Sequence, residues 1–457
     1  MGNTTISAIG LADDTTLLSN CLYSLQNLLQ LSLSFCNKYH VQLCIEKTKL
    51  VSIATPAMST SVDLMKLASP VNINGTVVEF VDTAEHVGVL RNTTSNLPNI
   101  FNRISAHRKS LNAVLHTGIA RQHRGNPVAS LRVERLHSMP VLLSGLGALV
   151  LLKSELDMVD HHLKETHERI MRLHPRTPRC VVSFLAGSLP GTAMIHLRML
   201  SLFGMICRLP GSILHQHASR VLWANKPSSK SWFLEIRNIC LLYSLPHPLS
   251  LLQYPTQKET MKKLVKQHVM SYWEIKLRNE AAPLPSLEFF HPHFMSLAKP
   301  HPMWTSAGAN PYQVTMSTIQ GLMISGRYRT EQLCSHWSGN SPFCKAPSCK
   351  GLQKIENLEH ILLHCGSLEP TRQRLHAFTF NYCQNLHNLQ PVISTLYTRS
   401  DPLFCQFLID CSILPSTIAA TQEYGPEVLH HLFRITRTWC YCLHKARLQI
   451  LERWHFH

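Results

Sequence analysis

Thr5-Ile6-Ser7-Ala8-Ile9-Gly10-Leu11-Ala12-Asp13-Asp14-Thr15-Thr16-Leu17-Leu18 sets two adjacent carboxylates between two short apolar runs. Runs of this kind on either side of a polar turn predict a strand-turn-strand hairpin with Asp13 and Asp14 at its tip. Flanks so apolar are expected to be buried, which would hold both carboxylates at the edge of a core. Nucleotidyl transfer needs carboxylates in such a place, because two divalent ions must bridge them to substrate phosphates. The competing reading is a hairpin turn with solvated acids.

Downstream, Leu22, Leu25, Leu28, Leu29 and Leu33 recur at helical spacing, so a helix is expected over 20–39, capped by Ser19 or Asn20. Strand-like segments follow at Leu50–Ala54 and Val77–Val81, then the turn His86-Val87-Gly88-Val89. From about Leu97 the pattern becomes helical. Leu156, Val159, Leu163 and Ile170 mark one apolar face, and Pro175 and Pro178 end that helix. The proline- and histidine-rich stretch from Pro283 to Asn310 reads as a linker or surface loop. A last long helix is expected from Glu427 to Trp454, with Arg434, Arg437 and Lys445 on one side. The fold class is α+β, with a small strand-bearing N-terminal unit followed by mainly helical regions.

Lys and Arg number 44 against 27 Asp and Glu, a net charge of +17 in 457 residues. That excess points to a polyanionic partner, foremost nucleic acid, since each neutralised phosphate releases counterions. A scaffold without a nucleic-acid role fits this charge poorly. Fifteen cysteines, with no basic start and apolar core at Met1-Gly2-Asn3-Thr4, are expected to be reduced core residues or metal ligands. The chain is therefore expected in the cytoplasm and nucleus, not secreted. The longest uncharged apolar run, Met139 to Leu152, is shorter than the roughly 20 residues a bilayer requires, so a buried helix or strand is expected there and no membrane partner.

Cys344-x4-Cys349-x10-His360-x4-Cys365 has the spacing of a small zinc site. Pro347 and Ser348 suit a tight knuckle, and Ile355 to Cys365 reads as a helix. His364, one turn from His360, competes with Cys365 for the fourth position. Cys334, His336 and the group Cys440, Cys442 and His444 are better read as core residues. Arg103, Arg108, Lys109, Arg121, Arg124, Arg132 and Arg135 form a dense basic belt suited to gripping phosphates, with an ordinary solvated face as the alternative.

The order of these features resembles the reverse transcriptases of LINE-type (non-LTR) retrotransposons. The acidic box is followed by a helix, by Ile45-Glu46-Lys47-Thr48-Lys49-Leu50, and by Glu85-His86-Val87-Gly88-Val89. Met139-Pro140-Val141-Leu142-Leu143-Ser144-Gly145 stands where that family has a thumb motif, and Leu358-Glu359-His360-Ile361-Leu362-Leu363-His364-Cys365 fits its Cys/His module. The resemblance spans most of the chain and fades between about 185 and 330. It implies a partial polymerase palm over 1–95, a helical thumb over 96–180 and a helical connector over 181–330. A zinc-knuckle-like module over 331–372 and a C-terminal helical region over 373–457 complete it.

The resemblance further implies that Asp13 is a Mg2+ ligand and Asp14 its weaker partner. Lys47 or Lys49 would lie near the phosphates of a deoxynucleoside triphosphate, and Cys365 would be the fourth Zn2+ ligand. The implied activity is RNA-directed DNA polymerisation, with an RNA template and DNA primer as partners, in a ribonucleoprotein. The chain departs from the family pattern at Leu11, where an aromatic residue is usual, and at Val87, where Leu is usual. The family's first metal-binding Asp belongs to a strand before the box, so this chain is expected to be inactive alone. The alternative is a non-catalytic, zinc-containing nucleic-acid-binding protein.

Overall fold

In the computed structural model, which describes residues 8–11, 14–52, 71–86, 88–92, 94–115, 125–224, 231–384 and 401–452, helices predominate and strands are few and short. Strands β1 (Ala8–Leu11) and β2 (Asp14–Leu17) pair antiparallel with Leu11 opposite Asp14, so the expected hairpin forms. Its flanks are not buried as expected: Ile9 is 47% exposed, and Asp14 is open to solvent. Helix α1 (Leu22–Lys38) follows. Its N-cap is Cys21 rather than Ser19 or Asn20, because the Cys21 sulfur accepts the Ser24 N–H while Ser19 bonds back to Cys21.

Six further strands make three more two-stranded pairs. Strand β3 (Lys49–Leu50) runs parallel to β6 (Glu79–Phe80), β4 (Asn72–Ile73) pairs with β5 (Thr76–Val77), and β7 (Thr83–His86) pairs with β8 (Val89–Asn92). Among the described residues these pairs do not join into one sheet. The β7–β8 hairpin turns at Gly88, whose φ of 72° suits a residue without a Cβ. Leu29, Val71, Ile73 and Val78 form a small core beneath α1, with Leu17, Leu22, Leu33, Ile45 and Leu50 packed against it.

The second and much larger core draws buried residues from Ile100 to Leu443. Helices α2 (Leu97–Val114), α3 (Pro127–Val133), α4 (Met139–Leu142), α5 (Lys153–Met171), α6 (Arg179–Ala186) and α7 (Gly191–Cys207) open it. Then come α8 (Ile213–Ala224), α9 (Trp232–Leu242), α10 (Pro248–Gln253), α11 (Lys258–Ala281), α12 (Pro302–Thr305) and α13 (Pro311–Ile324). Helices α14 (Glu331–Ser338), α15 (Glu369–Gln384), α16 (Asp401–Ile409), α17 (Pro415–Tyr424) and α18 (Glu427–Glu452) close the chain. Helix α18 packs on α13, α15, α16 and α17, so the final helix braces the C-terminal half.

Three expectations are corrected here. The run from Met139 to Leu152 is neither one helix nor a strand: α4 stops at Leu142, and Gly145 turns the chain at φ 74°. A Cβ on Gly145 would come within 2.4 Å of the Val89 side chain, so that close approach requires glycine. The stretch Pro283–Asn310 is not a surface linker. Leu287, Phe290, Met295, Leu297, Met303 and Trp304 are buried, and the prolines set short turns at Pro285–Leu287 and Pro292–Phe294. Arg437 does not share an exposed side with Arg434 and Lys445. It is fully buried, donating to the Phe433 carbonyl at 2.7 Å and to the Ser306 hydroxyl.

Cysteines 180, 207, 240 and 440 are free and buried in the large core, in keeping with the reading of core thiols, but the same reading fails for His336, which is exposed, and holds only in part for Cys334, Cys442 and His444, which are half-buried. Burial pushes the thiols of Cys180 and Cys207 up to about 11, and those of Cys240 and Cys440 to about 12. Such groups are chemically inert. Among the described residues no single helix is long and apolar enough to cross a membrane.

Candidate metal centre and charged clusters

The Cys/His spacing becomes a site through two local devices. Phe343 and Ile355 form an antiparallel bridge, and Cys344 N–H donates to the Lys354 carbonyl at 2.8 Å. Between them, the short turn Pro347–Cys349 lifts Cys349 back over Cys344. Ile355 is thus in the bridge rather than in a helix, and helical geometry begins only at Leu358.

The second device is a wide turn over His360–His364, closed by Cys365 N–H donating to the His360 carbonyl at 2.8 Å. Residues five apart on a regular α-helix stand about 140° apart around its axis. Widening the turn swings Cys365 round to the side of His360. His364 lies outside the cluster, half-exposed, 3.3 Å from Glu359 and 3.5 Å from Asp401. Cys365, and not His364, therefore stands with Cys344, Cys349 and His360 in the buried cluster.

Cys344, Cys349, His360 and Cys365 are all buried, and their ligand atoms lie within 4.8 Å of one another. Cys344 Sγ and Cys349 Sγ stand 4.0 and 3.9 Å from Cys365 Sγ, and Cys349 Sγ is 3.5 Å from His360 Nε2. These separations are far longer than a disulfide bond of roughly 2.0 Å. They match the edges of a tetrahedron with metal–sulfur bonds of about 2.3 Å, which are roughly 3.8 Å between sulfurs. Four donors in this arrangement can hold a metal ion.

The electrostatics of the cluster favour a thiolate at Cys365. A hydrogen bond from the Cys344 thiol is the largest influence lowering its pKa, and the Ser367 backbone N–H also points at its sulfur. The same bond, together with burial, raises Cys344. Arg372 donates to the Cys365 carbonyl at 2.6 Å, and Asn357 accepts the His360 backbone N–H at 2.8 Å. Behind the cluster, buried Glu356 accepts from Arg447 of α18 at 2.6 Å and from Glu331 N–H at 3.0 Å.

The acidic hairpin offers less. Asp13 lies outside the described residues, Asp14 is exposed on β2, and Lys47 is exposed at the end of a short turn. Lys49 on β3 forms an ion pair with Glu79 on the neighbouring β6. Of the basic belt, Arg121 and Arg124 lie outside the described residues. Arg103 is partly buried, Arg108 lies 3.9 Å from Glu165, and Arg135 donates to the Gly187 carbonyl at 3.0 Å. Lys109 and Arg132 are exposed.

One cluster escaped the sequence reading. Pro140 cannot donate a backbone hydrogen bond, and the chain before it widens into a turn over Glu134–Ser138, closed by Met139 N–H on the Glu134 carbonyl. Glu134 is buried there, 3.3 Å from His107 Nε2 and 3.7 Å from His167 Nε2, while His162 Nε2 lies 2.9 Å from His107 Nδ1. Burial opposes ionisation of Glu134, yet the hydrogen bond with His107 and the nearby His167 imidazole outweigh it and hold its pKa down to about 2. Burial, aided by His107 and Arg108, lowers His162 to about 3.

A depressed histidine pKa costs stability in acid. His162 is neutral when folded but takes up a proton when unfolded below about pH 6.5, so its contribution is complete above that pH and is lost as pH falls towards 3. The slope is about 1.4 kcal/mol per pH unit in that window. Urea melts at pH 7.5, 6.5 and 5.5 should show wild-type stability falling faster than that of His162→Asn. Parallel profiles for the two proteins would refute the assignment.

No family model, curated protein or solved structure matches the chain.

Proposed function

We propose that the chain is the C-terminal part of a LINE-type reverse transcriptase, built to bind nucleic acid around a structural Zn2+. The observation that carries this reading is the buried set Cys344, Cys349, His360 and Cys365, with ligand atoms within 4.8 Å of one another, on a chain of net charge +17. Three thiolate-capable sulfurs and one imidazole are a donor set that suits zinc, and a closed set of four protein ligands suits a structural rather than a catalytic ion. In the intact enzyme of that family, Asp13 and Asp14 would hold Mg2+ for RNA-directed DNA synthesis, with Lys47 nearer to the nucleotide phosphates. The ion pair with Glu79 leaves Lys49 less suited to that role.

The 457-residue chain is expected to bind RNA and DNA. Fluorescence anisotropy should give affinity falling steeply with salt, with a log–log slope of about −0.7 to −0.9 per phosphate contacted. Reversing Arg108, Lys109, Arg121 and Arg124 to Glu should weaken RNA and DNA alike and flatten the slope. Salt-independent binding, or none at micromolar protein, would remove the nucleic-acid reading. Incorporation on a primed RNA template, abolished by Asp13→Ala, would support the polymerase part of the reading as well.

A further inference from the structure

An open cleft of about 410 Å³, lined by none of the hairpin or belt residues, lies between the turn after α5, the turn after α13 and helix α14. It is lined by His174, Arg176, Arg327, Arg329, Leu333 and Trp337. Three guanidinium groups converge there, and among the described residues no carboxylate lies within 4.0 Å of any of them. Arg327 Nε is buried and has no hydrogen-bond partner. Like charges gathered without a counter-charge repel one another, and an anion between them relieves that cost.

The remaining wall is equally specific. Trp337 is 51% exposed, a large apolar surface left open beside cations. His174 Nδ1 accepts the Arg176 backbone N–H at 3.1 Å, which puts the ring proton on Nε2 as a further donor. The cleft thus offers guanidinium forks for phosphate oxygens and an indole face for a planar ring. A base-paired duplex cannot present a free base face to an indole, whereas an unpaired strand can.

We infer that the cleft of Arg176, Arg327, Arg329 and Trp337 binds an unpaired nucleic-acid strand, with phosphates on the arginines and one base stacked on Trp337. The inference rests on the nucleic-acid reading above and assigns to it a surface separate from the belt. One wall of the cleft is tied to the metal centre, since the N–H groups of Glu331 and Gln332, at the start of α14, both donate to Glu356. Sequence inspection could not find the site, because its residues come from two stretches separated by more than a hundred positions and neither holds a motif.

The test is anisotropy on the full chain with labelled single-stranded and duplex oligonucleotides, each as RNA and as DNA. Trp337→Ala should weaken single-strand binding about tenfold and leave duplex binding unchanged, while Trp337→Phe keeps most of the affinity. Arg176→Glu with Arg329→Glu should weaken it further and make the salt slope shallower by about 1.4, two phosphate contacts' worth. A 5-iodouracil-substituted strand should crosslink within residues 327–337. The inference is overturned if Trp337→Ala binds single strands within about twofold of wild type, or if ATP competes the strand away at equal phosphate concentration. If the belt variant alone abolishes binding, the cleft assignment fails and the proposed function stands. If the wild-type chain binds no oligonucleotide, both fail.

Discussion

One equivalent of zinc per chain is the expected result of elemental analysis on the purified protein, and Cys349→Ser should lose most of it. The four ligands span only residues 344–365, and the segment around them is made of short turns rather than long packed helices. Without an ion, three buried sulfurs at about 4 Å have only one another and His360 to satisfy them. Structural zinc contributes on the order of 10 kcal/mol at neutral pH, far more than the local packing of such a module. A strong chelator should therefore raise amide exchange across 343–368 by several orders of magnitude while α5 to α11 stay protected. Cys365→Ser should release the metal and His364→Ala should keep it. The opposite pattern would mean the fourth ligand is misassigned, and retention in all three variants would place the metal elsewhere.

The second large effect is expected at Glu356→Ala. Its carboxylate is 3% exposed and is the acceptor for Arg447, itself 10% exposed, as well as for Glu331 N–H. Removing it leaves a guanidinium buried without its partner, which costs about 3–5 kcal/mol. The loss should appear as a lower denaturation midpoint with zinc content unchanged, because Glu356 is not one of the four ligands. Pairing it with Arg447→Met should recover part of the loss, since no charge is then stranded. A midpoint within about 0.5 kcal/mol of wild type would show that Arg447 reaches solvent and that the pair does not hold α18 to the module.

The parts of this protein legible in its sequence are those in which neighbours along the chain do the work. The hairpin around Leu11 and Asp14, the helix beginning after Cys21 and the final helix from Glu427 all follow from local periodicity and turn chemistry. Three of the metal-centre residues are equally local, because a loop and one turn present them. The fourth was not: His364 and Cys365 are both plausible on a regular helix, and only the widened turn at His360–His364 brings Cys365 rather than His364 into the cluster.

Long-range packing decided what remained. Pro283–Asn310 has the composition of a surface loop, yet it buries Trp304 and Met303 because α12 packs on α13 and α3 and both side chains lie against Gly321 of α13. Arg437 has the spacing of a solvated face but lies beneath Ser306. Glu134 lies between His107 and His167 of two other helices, with His162 behind His107, and Trp337 lines one cleft with Arg176 across a gap of 161 positions. Composition, charge and short spacing determined that the chain is basic, mainly helical and able to present a metal site. Which side chains face inward, and which distant charges meet, depends on how the helices pack, because burial is a property of the assembled core and not of any single segment.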